Sequence, residues 1–107
     1  MVSFVDLGDV VDSLSEAWSP VDVARVNDQV VRAALFEGEY HWHKHEEDEL
    51  FFVYSGAICI HVEDHEDVLL EKGQLCVIPK GVVHKPESSV PSIVLLFEPA
   101  VLKSRGD

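Results

Sequence analysis

Residues 40–56 have the sequence YHWHKHEEDELFFVYSG. Alternate side chains of a β-strand point to the same face, so the imidazoles of His43 and His45 project together, about 6.6 Å apart along the backbone. Glu49 follows a polar turn and begins an apolar run that ends before Gly56. A hairpin at the polar turn would bring the carboxylate of Glu49 beside the two imidazoles. This stretch therefore predicts two strands with three converging metal ligands.

A second stretch supplies a fourth candidate ligand, His84, which follows the turn sequence Pro79-Lys80-Gly81. Proline and glycine fix such a turn and set the direction of the residues after it. Three neutral imidazoles and one carboxylate suit one divalent transition-metal ion, and Fe, Mn, Ni, Co, Cu and Zn are all acceptable. We predict that the ligands are His43, His45, Glu49 and His84, which are called the His/Glu cluster. The alternative is a site whose members only hydrogen-bond one another.

The rest of the chain contains further short runs of β-branched and aromatic residues, separated by Gly, Pro or charged turns. The predicted strands are Val21–Val26, Gln29–Phe36, Tyr40–His45, Leu50–Tyr54, Ala57–Val62, Val68–Leu70, Gln74–Ile78 and Ser92–Glu98. The turns are too short for the crossover helices that parallel strands need. The pattern therefore predicts an all-β, mostly antiparallel sandwich or barrel.

The N-terminal region has a different pattern. Apolar residues recur at helical spacing behind Asp9, a good capping residue, and they are Val10, Val11, Leu14 and Trp18. We predict a short helix that ends before Pro20. The apolar segment from Val2 to Trp18 could also supply an interface strand or a lid over the barrel.

The chain has 107 residues, of which 20 are acidic and 8 basic, and its formal net charge is −12. This length provides one hydrophobic core, so we expect a single domain, 1–107. Nucleic acids bind proteins mainly through Lys and Arg, and a negative field repels their phosphates. The expected partner is therefore a small molecule and not a nucleic acid.

The longest uncharged apolar stretch, Ser88–Phe97, is much shorter than the roughly 20 residues that cross a bilayer. No basic leader precedes an apolar run, so we expect no membrane segment and a cytoplasmic location. Cys59 and Cys76 both lie inside apolar runs. We expect them to be reduced thiols, since two cysteines are too few for a disulfide scaffold.

The two ligand-bearing stretches, residues 38–56 and 73–88, together resemble the paired motifs of the cupin superfamily. The residues that carry the resemblance are Gly38, His43, His45, Glu49 and Gly56 in the first, and Gly73, Pro79, Gly81 and His84 in the second. The short segment between them is typical of small cupins. Gly38 stands one residue closer to His43 than in the common pattern, and Ser88 replaces the usual Asn.

This resemblance implies a small antiparallel, jelly-roll-like β-barrel that binds a metal inside through the His/Glu cluster. The chain also resembles small cupins that are loosely described as mannose-6-phosphate isomerase-like. Cupins commonly pair through their sheets, so the resemblance also implies a homodimer. Cupins include isomerases, dioxygenases and non-catalytic sensors, so the fold fixes no substrate. We expect a metal-dependent isomerase or dioxygenase acting on a small oxygen-rich molecule. The alternative is a non-catalytic module that binds or senses a small ligand or the metal.

No catalytic residue follows from the sequence beyond the ligands. His41 shares a strand face with His43, so it could support a ligand or contact substrate, or be a satisfied core histidine. Tyr40 and Trp42 fall on the opposite face and are predicted to pack. Barrel-core positions are predicted at Phe36, Phe51, Val53, Ile78 and Phe97, and a phosphate substrate would require the lysines near the motif turns, Lys44, Lys80 and Lys85. His61 and His65 receive no role.

Overall fold

The computed structural model describes residues 2–102. The elements within that range are α1 (Leu7–Ser13), β1 (Val21–Val26), β2 (Gln29–Glu39), β3 (Glu49–Ser55), β4 (Ala57–Val62), β5 (Val68–Glu71), β6 (Leu75–Ile78) and β7 (His84–Pro99). All pairings between these strands are antiparallel. This architecture confirms the all-β antiparallel barrel. No helix in residues 2–102 is long and apolar enough to cross a membrane.

Strand β7 organises the barrel because it pairs with three other strands. One path of the sheet runs β1-β2-β7-β3-β6, and β4 joins it by pairing with both β5 and β7. The first residues of β7, 84–87, lie against β4, whereas residues 93–97 lie against β3. Strand β2 pairs with β7 along almost its whole length, so the parts of β7 that contact β4 and β3 are held against the same neighbouring strand.

The core forms where the inward faces of these strands meet. In β3 the inward side chains are Phe51 and Val53, and in β4 they are Ile58 and Ile60, all at most 4% exposed. Phe97 was predicted to lie in the core, and that prediction is wrong because its side chain is 37% exposed. The alternation along β7 instead turns Leu96 and Glu98 inward.

The helix prediction is wrong in its bounds. Helix α1 is capped by Asp6, whose Oδ1 accepts from Gly8 N over 2.9 Å, and it ends at Ser13. Trp18 is not helical, because its segment pairs with β2 instead: the Trp18 N–H donates to the carbonyl of Leu35 over 2.9 Å. This contact between distant parts of the chain overrides the local helical spacing.

Residues 40–45 also differ from the predicted strand. The pairing of β2 ends at Glu39, and the segment that follows forms an isolated antiparallel bridge between His43 and His84. The Tyr40 N–H also donates to the carbonyl of Pro86 over 3.0 Å. The turn between β3 and β4 depends on Gly56, whose φ is +89°. Beside it, the hydroxyl of Ser88, the residue that replaces Asn, donates to the carbonyl of Ala57 over 2.9 Å. The Ser88 departure from the motif pattern is therefore accommodated by a hydrogen bond to the backbone.

Candidate metal centre

The His/Glu cluster is assembled from three segments of the chain. His43 and His45 lie between β2 and β3, Glu49 begins β3, and His84 begins β7. His45, Glu49 and His84 are at most 2% exposed, and His43 is half-buried. One potential ligand atom from each residue lies within 4.8 Å of those of the other three. The fold thus brings all four sequence-predicted residues to one point.

Backbone carbonyls orient two of the imidazoles. The Nδ1–H of His43 donates to the carbonyl of His41 over 2.9 Å, and the Nδ1–H of His84 donates to the carbonyl of Val82 over 2.9 Å. Each bond places the proton on Nδ1 and leaves the lone pair of Nε2 available. This arrangement is typical of histidines that bind a metal through Nε2.

The inward atoms of the cluster have no hydrogen-bond partner. Glu49 Oε1 lies 3.2 Å from His45 Nε2 and 3.6 Å from His84 Nε2. Neither contact has hydrogen-bond geometry, so these three buried atoms stay unsatisfied. An unsatisfied buried polar group costs about 1–3 kcal/mol, and a divalent cation at the centre would remove that cost for all three. The donor set therefore fits a metal better than a cluster whose members only hydrogen-bond one another.

The charge state of the cluster also suits a cation. Burial, together with repulsion from His84 and His45, lowers the pKa of His43 to about 4, so this imidazole is neutral near pH 7. Burial acts to raise the pKa of Glu49, but interactions with His45 and His84 outweigh it and hold that pKa well below its usual range. A neutral imidazole and an ionised carboxylate are the forms that bind metal.

Two residues behind the cluster were not identified from the sequence. Glu98 is completely buried, and its Oε1 lies 2.6 Å from Arg32 Nη1. Burial and the adjacent Glu49 carboxylate raise the pKa of Glu98 above its usual range. Arg32 also donates to the carbonyls of Ala100 and Leu102 over 3.0 and 2.9 Å. The signal that could have revealed Glu98 is a carboxylate at an inward position of an apolar strand.

A cavity of about 550 Å³ adjoins the cluster. Its lining combines two cluster members with apolar and aromatic side chains: Trp18, Pro20, Ala34, Phe36, Tyr40, His43, Glu49, Phe51, Pro86 and Leu96. The rings of Trp18 and Tyr40 stack with centroids 4.8 Å apart, and Trp18 Nε1 donates to the carbonyl of Glu37 over 3.0 Å. These packed rings, called the aromatic wall, line the same cavity as two candidate ligands, and the Tyr40 ring meets the His43 ring edge-on with centroids 5.3 Å apart.

The residues flanking the ligands differ from the sequence-based expectations. Tyr40 packs against Trp18 as predicted, but it lines the cavity together with His43, so its placement on the face opposite the ligands is wrong. Trp42 is 52% exposed, which is also inconsistent with packing. His41 is exposed, so it is not a core histidine, and it supports His43 through its backbone carbonyl. These errors share one cause. Residues 40–45 do not form a strand, so the rule that side chains alternate between two faces does not apply to them.

Known proteins resemble the chain in both sequence and fold. Residues 31–97 match the Cupin domain family (Cupin_2). The uncharacterized protein YdbB of Bacillus subtilis is 38% identical over 90 residues, which cover 83% of this chain and 80% of that protein. The crystal structure of a cupin-2 domain-containing protein from Shewanella frigidimarina superposes with a TM-score of 0.85 at 34% identity, over 89% of this chain and 93% of that one.

A more distant relative is an enzyme with a stated activity. The 3-hydroxyanthranilate 3,4-dioxygenase of Xenopus tropicalis is 28% identical over 69 residues, or 62% of this chain. The chain spans only 25% of the length of that dioxygenase. The extent of the family match and the likeness to full-length small relatives establish that this chain belongs to the cupin family.

Proposed function

We propose that this protein is a metal-dependent dioxygenase that acts on a small hydroxylated aromatic molecule. The observation that carries the proposal is the cavity, in which His43 and Glu49 face a wall built from Trp18, Phe36 and Tyr40. A pocket with one polar, metal-binding side and aromatic walls suits a planar ring that carries oxygen substituents. The resemblance to 3-hydroxyanthranilate 3,4-dioxygenase over part of the chain supports the same class of substrate.

The roles of the chain's own residues follow from their positions. The His/Glu cluster would hold one divalent transition metal, which supplies Lewis-acid or oxygen-activating chemistry when bound. Trp18 and Phe36, with ring centroids 4.4 Å apart, form a surface on which a substrate ring can stack. Phe51 borders both the cavity and the core, so it excludes water from the inner end of the pocket. Substrate orientation would thus come from the aromatic wall.

The alternative enzyme class, a sugar-phosphate isomerase, fits the cavity less well. A phosphate group needs Lys or Arg within reach. Among residues 2–102 the cavity lining contains neither, and its charged member is the carboxylate of Glu49. Lys44 and Lys80 are exposed, and Lys85 Nζ lies 2.9 Å from Glu39 Oε1. The lysines around the motif turns therefore lie outside the cavity, which favours a substrate without phosphate.

Oxygen consumption tests the proposal directly. Iron(II)-loaded protein would be mixed with 3-hydroxyanthranilate, hydroquinone and catechol in separate reactions, with an oxygen electrode and product absorbance as the readouts. We expect uptake of one O2 per ring opened with at least one of them, and loss of that uptake in Glu49→Gln. His65→Ala is the matched control, because His65 is exposed and outside the cluster. Saturable binding without oxygen uptake would instead support the non-catalytic binding or sensing module.

A homodimer is the second part of the proposal. Among the strands that the structure describes, β6 pairs only with β3, and its outward side chains Leu75 and Val77 are 55% and 50% exposed. Apolar residues on an edge strand are a common basis for pairing between copies. Light scattering should give twice the chain mass of 12.0 kDa. A monomer mass at micromolar concentration would contradict this part of the proposal alone.

A further inference from the structure

A second group of metal-binding side chains lies on the outer face of the barrel. In β4, Ile58 and Ile60 point into the core, so Cys59 and His61 point outward. Cys59 is directly opposite Glu87 in the pairing of β4 with β7. Directly opposed residues share a face, so these side chains form one outward row.

The contacts within this row centre on His61. Its Nδ1 lies 2.9 Å from Asp67 Oδ1, and its Nε2 lies 2.6 Å from Glu87 Oε1. The sulfur of Cys59 is 4.0 Å from His61 Nδ1 and 3.9 Å from His61 Nε2. Ligand atoms of Cys59, His61 and Asp67 all lie within 4.8 Å of one another. These three residues and Glu87 are called the outer-face cluster.

We propose that the outer-face cluster binds a second divalent metal ion of the zinc class. Cys59 Sγ, His61 Nδ1 and the Asp67 carboxylate would be the ligands, and Glu87 would accept a hydrogen bond from His61 Nε2–H. Zinc binds thiolate at about 2.3 Å and imidazole at about 2.0 Å, which in a tetrahedral site separates sulfur and nitrogen by about 3.5 Å. The observed 4.0 Å exceeds that spacing, and the sulfur lies equally near Nε2, so the Cys59 side chain would shift toward Nδ1 on binding. A carboxylate that orients the far side of a metal-bound imidazole is a recurrent arrangement.

The outer-face cluster holds protons that a metal ion would displace. Burial and the carboxylates of Asp67 and Glu87 raise the pKa of the Cys59 thiol. Hydrogen bonds to Glu87 and Asp67 raise the pKa of His61, which favours an imidazolium between two carboxylates. Binding of the metal breaks the S–H bond of Cys59 and the Nδ1–H bond of His61 and releases two protons to solvent. The metal replaces protons that already neutralise the cluster.

The neighbouring charges leave the net potential negative. Lys85 lies across from His61 in the strand pairing, but its Nζ is 2.9 Å from Glu39 Oε1. Glu39 in turn lies opposite Glu87 in the pairing of β2 with β7. One lysine therefore faces three carboxylates, counting Asp67, and a divalent cation would be electrostatically favoured there. The 53% exposure of the Asp67 side chain leaves a path for the ion from solvent.

Cobalt(II) spectroscopy tests the outer-face cluster separately from the His/Glu cluster. Thiolate-to-cobalt charge transfer gives near-ultraviolet absorption, and the His/Glu cluster contains no cysteine. Cobalt would be titrated into the full-length chain and into Cys59→Ser, with Cys76→Ser as the matched control. Cys76 suits that purpose because it lies on β6 and packs against the hydrophobic core, away from the outer-face cluster.

We expect the absorption to saturate at one thiolate-bound cobalt in the parent and in Cys76→Ser, and to vanish in Cys59→Ser. Asp67→Asn should weaken cobalt affinity at least tenfold, and Glu87→Ala should weaken it roughly 10- to 100-fold. His61→Asn provides a second test should Cys59→Ser fail to fold, and it too should lose the absorption. No thiolate absorption in the parent, or equal absorption in Cys59→Ser, would overturn the proposal. Neither result would bear on oxygen uptake at the cavity.

Discussion

The main chains of His43 and His84 hydrogen-bond each other in both directions, with His43 N–H donating to the carbonyl of His84 over 3.0 Å and His84 N–H donating to the carbonyl of His43 over 2.9 Å. Two candidate ligands from different motifs are therefore joined by the backbone and not by their side chains. An isolated bridge of this kind fixes the distance between the imidazoles before any metal binds. It also means that either imidazole can be removed without removing the contact that holds the segment.

The first prediction concerns metal content. His45→Ala, His84→Ala and Glu49→Gln should each contain one metal ion less per chain than the parent, because each removes a ligand from a buried four-residue site. Elemental analysis of untagged protein purified without chelator measures this directly. His65→Ala, at an exposed position, is the control and should match the parent. Unchanged stoichiometry in all three folded variants would show that the cluster is not the metal site.

The second prediction concerns Gly56 at the turn between β3 and β4. A Cβ at this position would lie 2.7 Å from Ser92 Cβ and 2.9 Å from Ser92 Cα, so backbone as well as side chain must shift. Left-handed backbone strain adds about 1–2 kcal/mol and overpacking about 1–3 kcal/mol. We expect Gly56→Ala to lower the free energy of unfolding by about 2–5 kcal/mol in urea denaturation.

Gly73→Ala is the matched control for that substitution. Gly73 has a similar φ of +86°, but nothing lies within 4 Å of an added Cβ. Its cost should therefore be the strain alone, about 1–2 kcal/mol. Equal losses in the two variants would show that the contact with Ser92 relaxes at little cost.

The third prediction concerns the buried pair of Arg32 and Glu98. Arg32→Ala removes the guanidinium from a fully buried carboxyl and leaves the carbonyls of Ala100 and Leu102 without this donor. We expect a loss of about 2–4 kcal/mol in the free energy of unfolding, the lower end applying if Glu98 takes up a proton. Arg25→Ala, on the exposed face of β1, should change stability by about 0.5 kcal/mol or less. If Arg32→Ala had a comparably small effect on the free energy of unfolding, the pair of Arg32 and Glu98 would make no net contribution to stability.

The sequence predicted that the four residues of the His/Glu cluster lie together, but not what surrounds them, and the reason is physical. His43, His45 and Glu49 are close in the chain, so their short spacing predicted that they converge, although residues 43 and 45 do not lie in the strand on which that prediction relied. The cavity wall instead depends on the pairing of residue 17 with residue 35, which brings Trp18 against Phe36. No local sequence pattern predicts that contact. The helical spacing of apolar residues up to Trp18 predicts a helix there, whereas the helix ends at Ser13 and Trp18 pairs with β2. Glu98 was missed because its partner, Arg32, lies on another strand.

The fourth prediction concerns pH. The pKa of His43 is about 4 in the folded chain against an ordinary 6.5, so between these values the unfolded state binds the extra proton. Stability of the metal-free protein should therefore fall as pH drops from about 6.5 to about 4. The full shift is discounted because His43 is only partly buried, leaving an effect on the order of 1–2 kcal/mol. Urea unfolding across this range should show a shallower decline in His43→Gln, and identical slopes would contradict the assignment.

The last prediction concerns the aromatic wall. Trp18 packs on Phe36 and Tyr40 and lines the cavity, yet it contacts no member of the His/Glu cluster through a hydrogen bond. Trp18→Ala should therefore keep its metal and lose most of its affinity for an aromatic ligand. A stacking contact contributes about 0.5–1.5 kcal/mol beyond burial, which corresponds to roughly a 3- to 10-fold rise in Kd, and lost burial adds to it.

Calorimetric titration of metal-loaded protein with 3-hydroxyanthranilate measures this change, with metal content determined on the same samples. Trp42→Ala is the matched control, because Trp42 is 52% exposed and lies outside the cavity lining. Its Kd should stay within about twofold of the parent, since it offers the ligand no surface. Equal weakening in both tryptophan variants would place the ligand at the mouth of the barrel, near Trp42. No weakening in either would mean that the metal alone determines affinity, because a ligand held by stacking must respond to the loss of the ring on which it stacks.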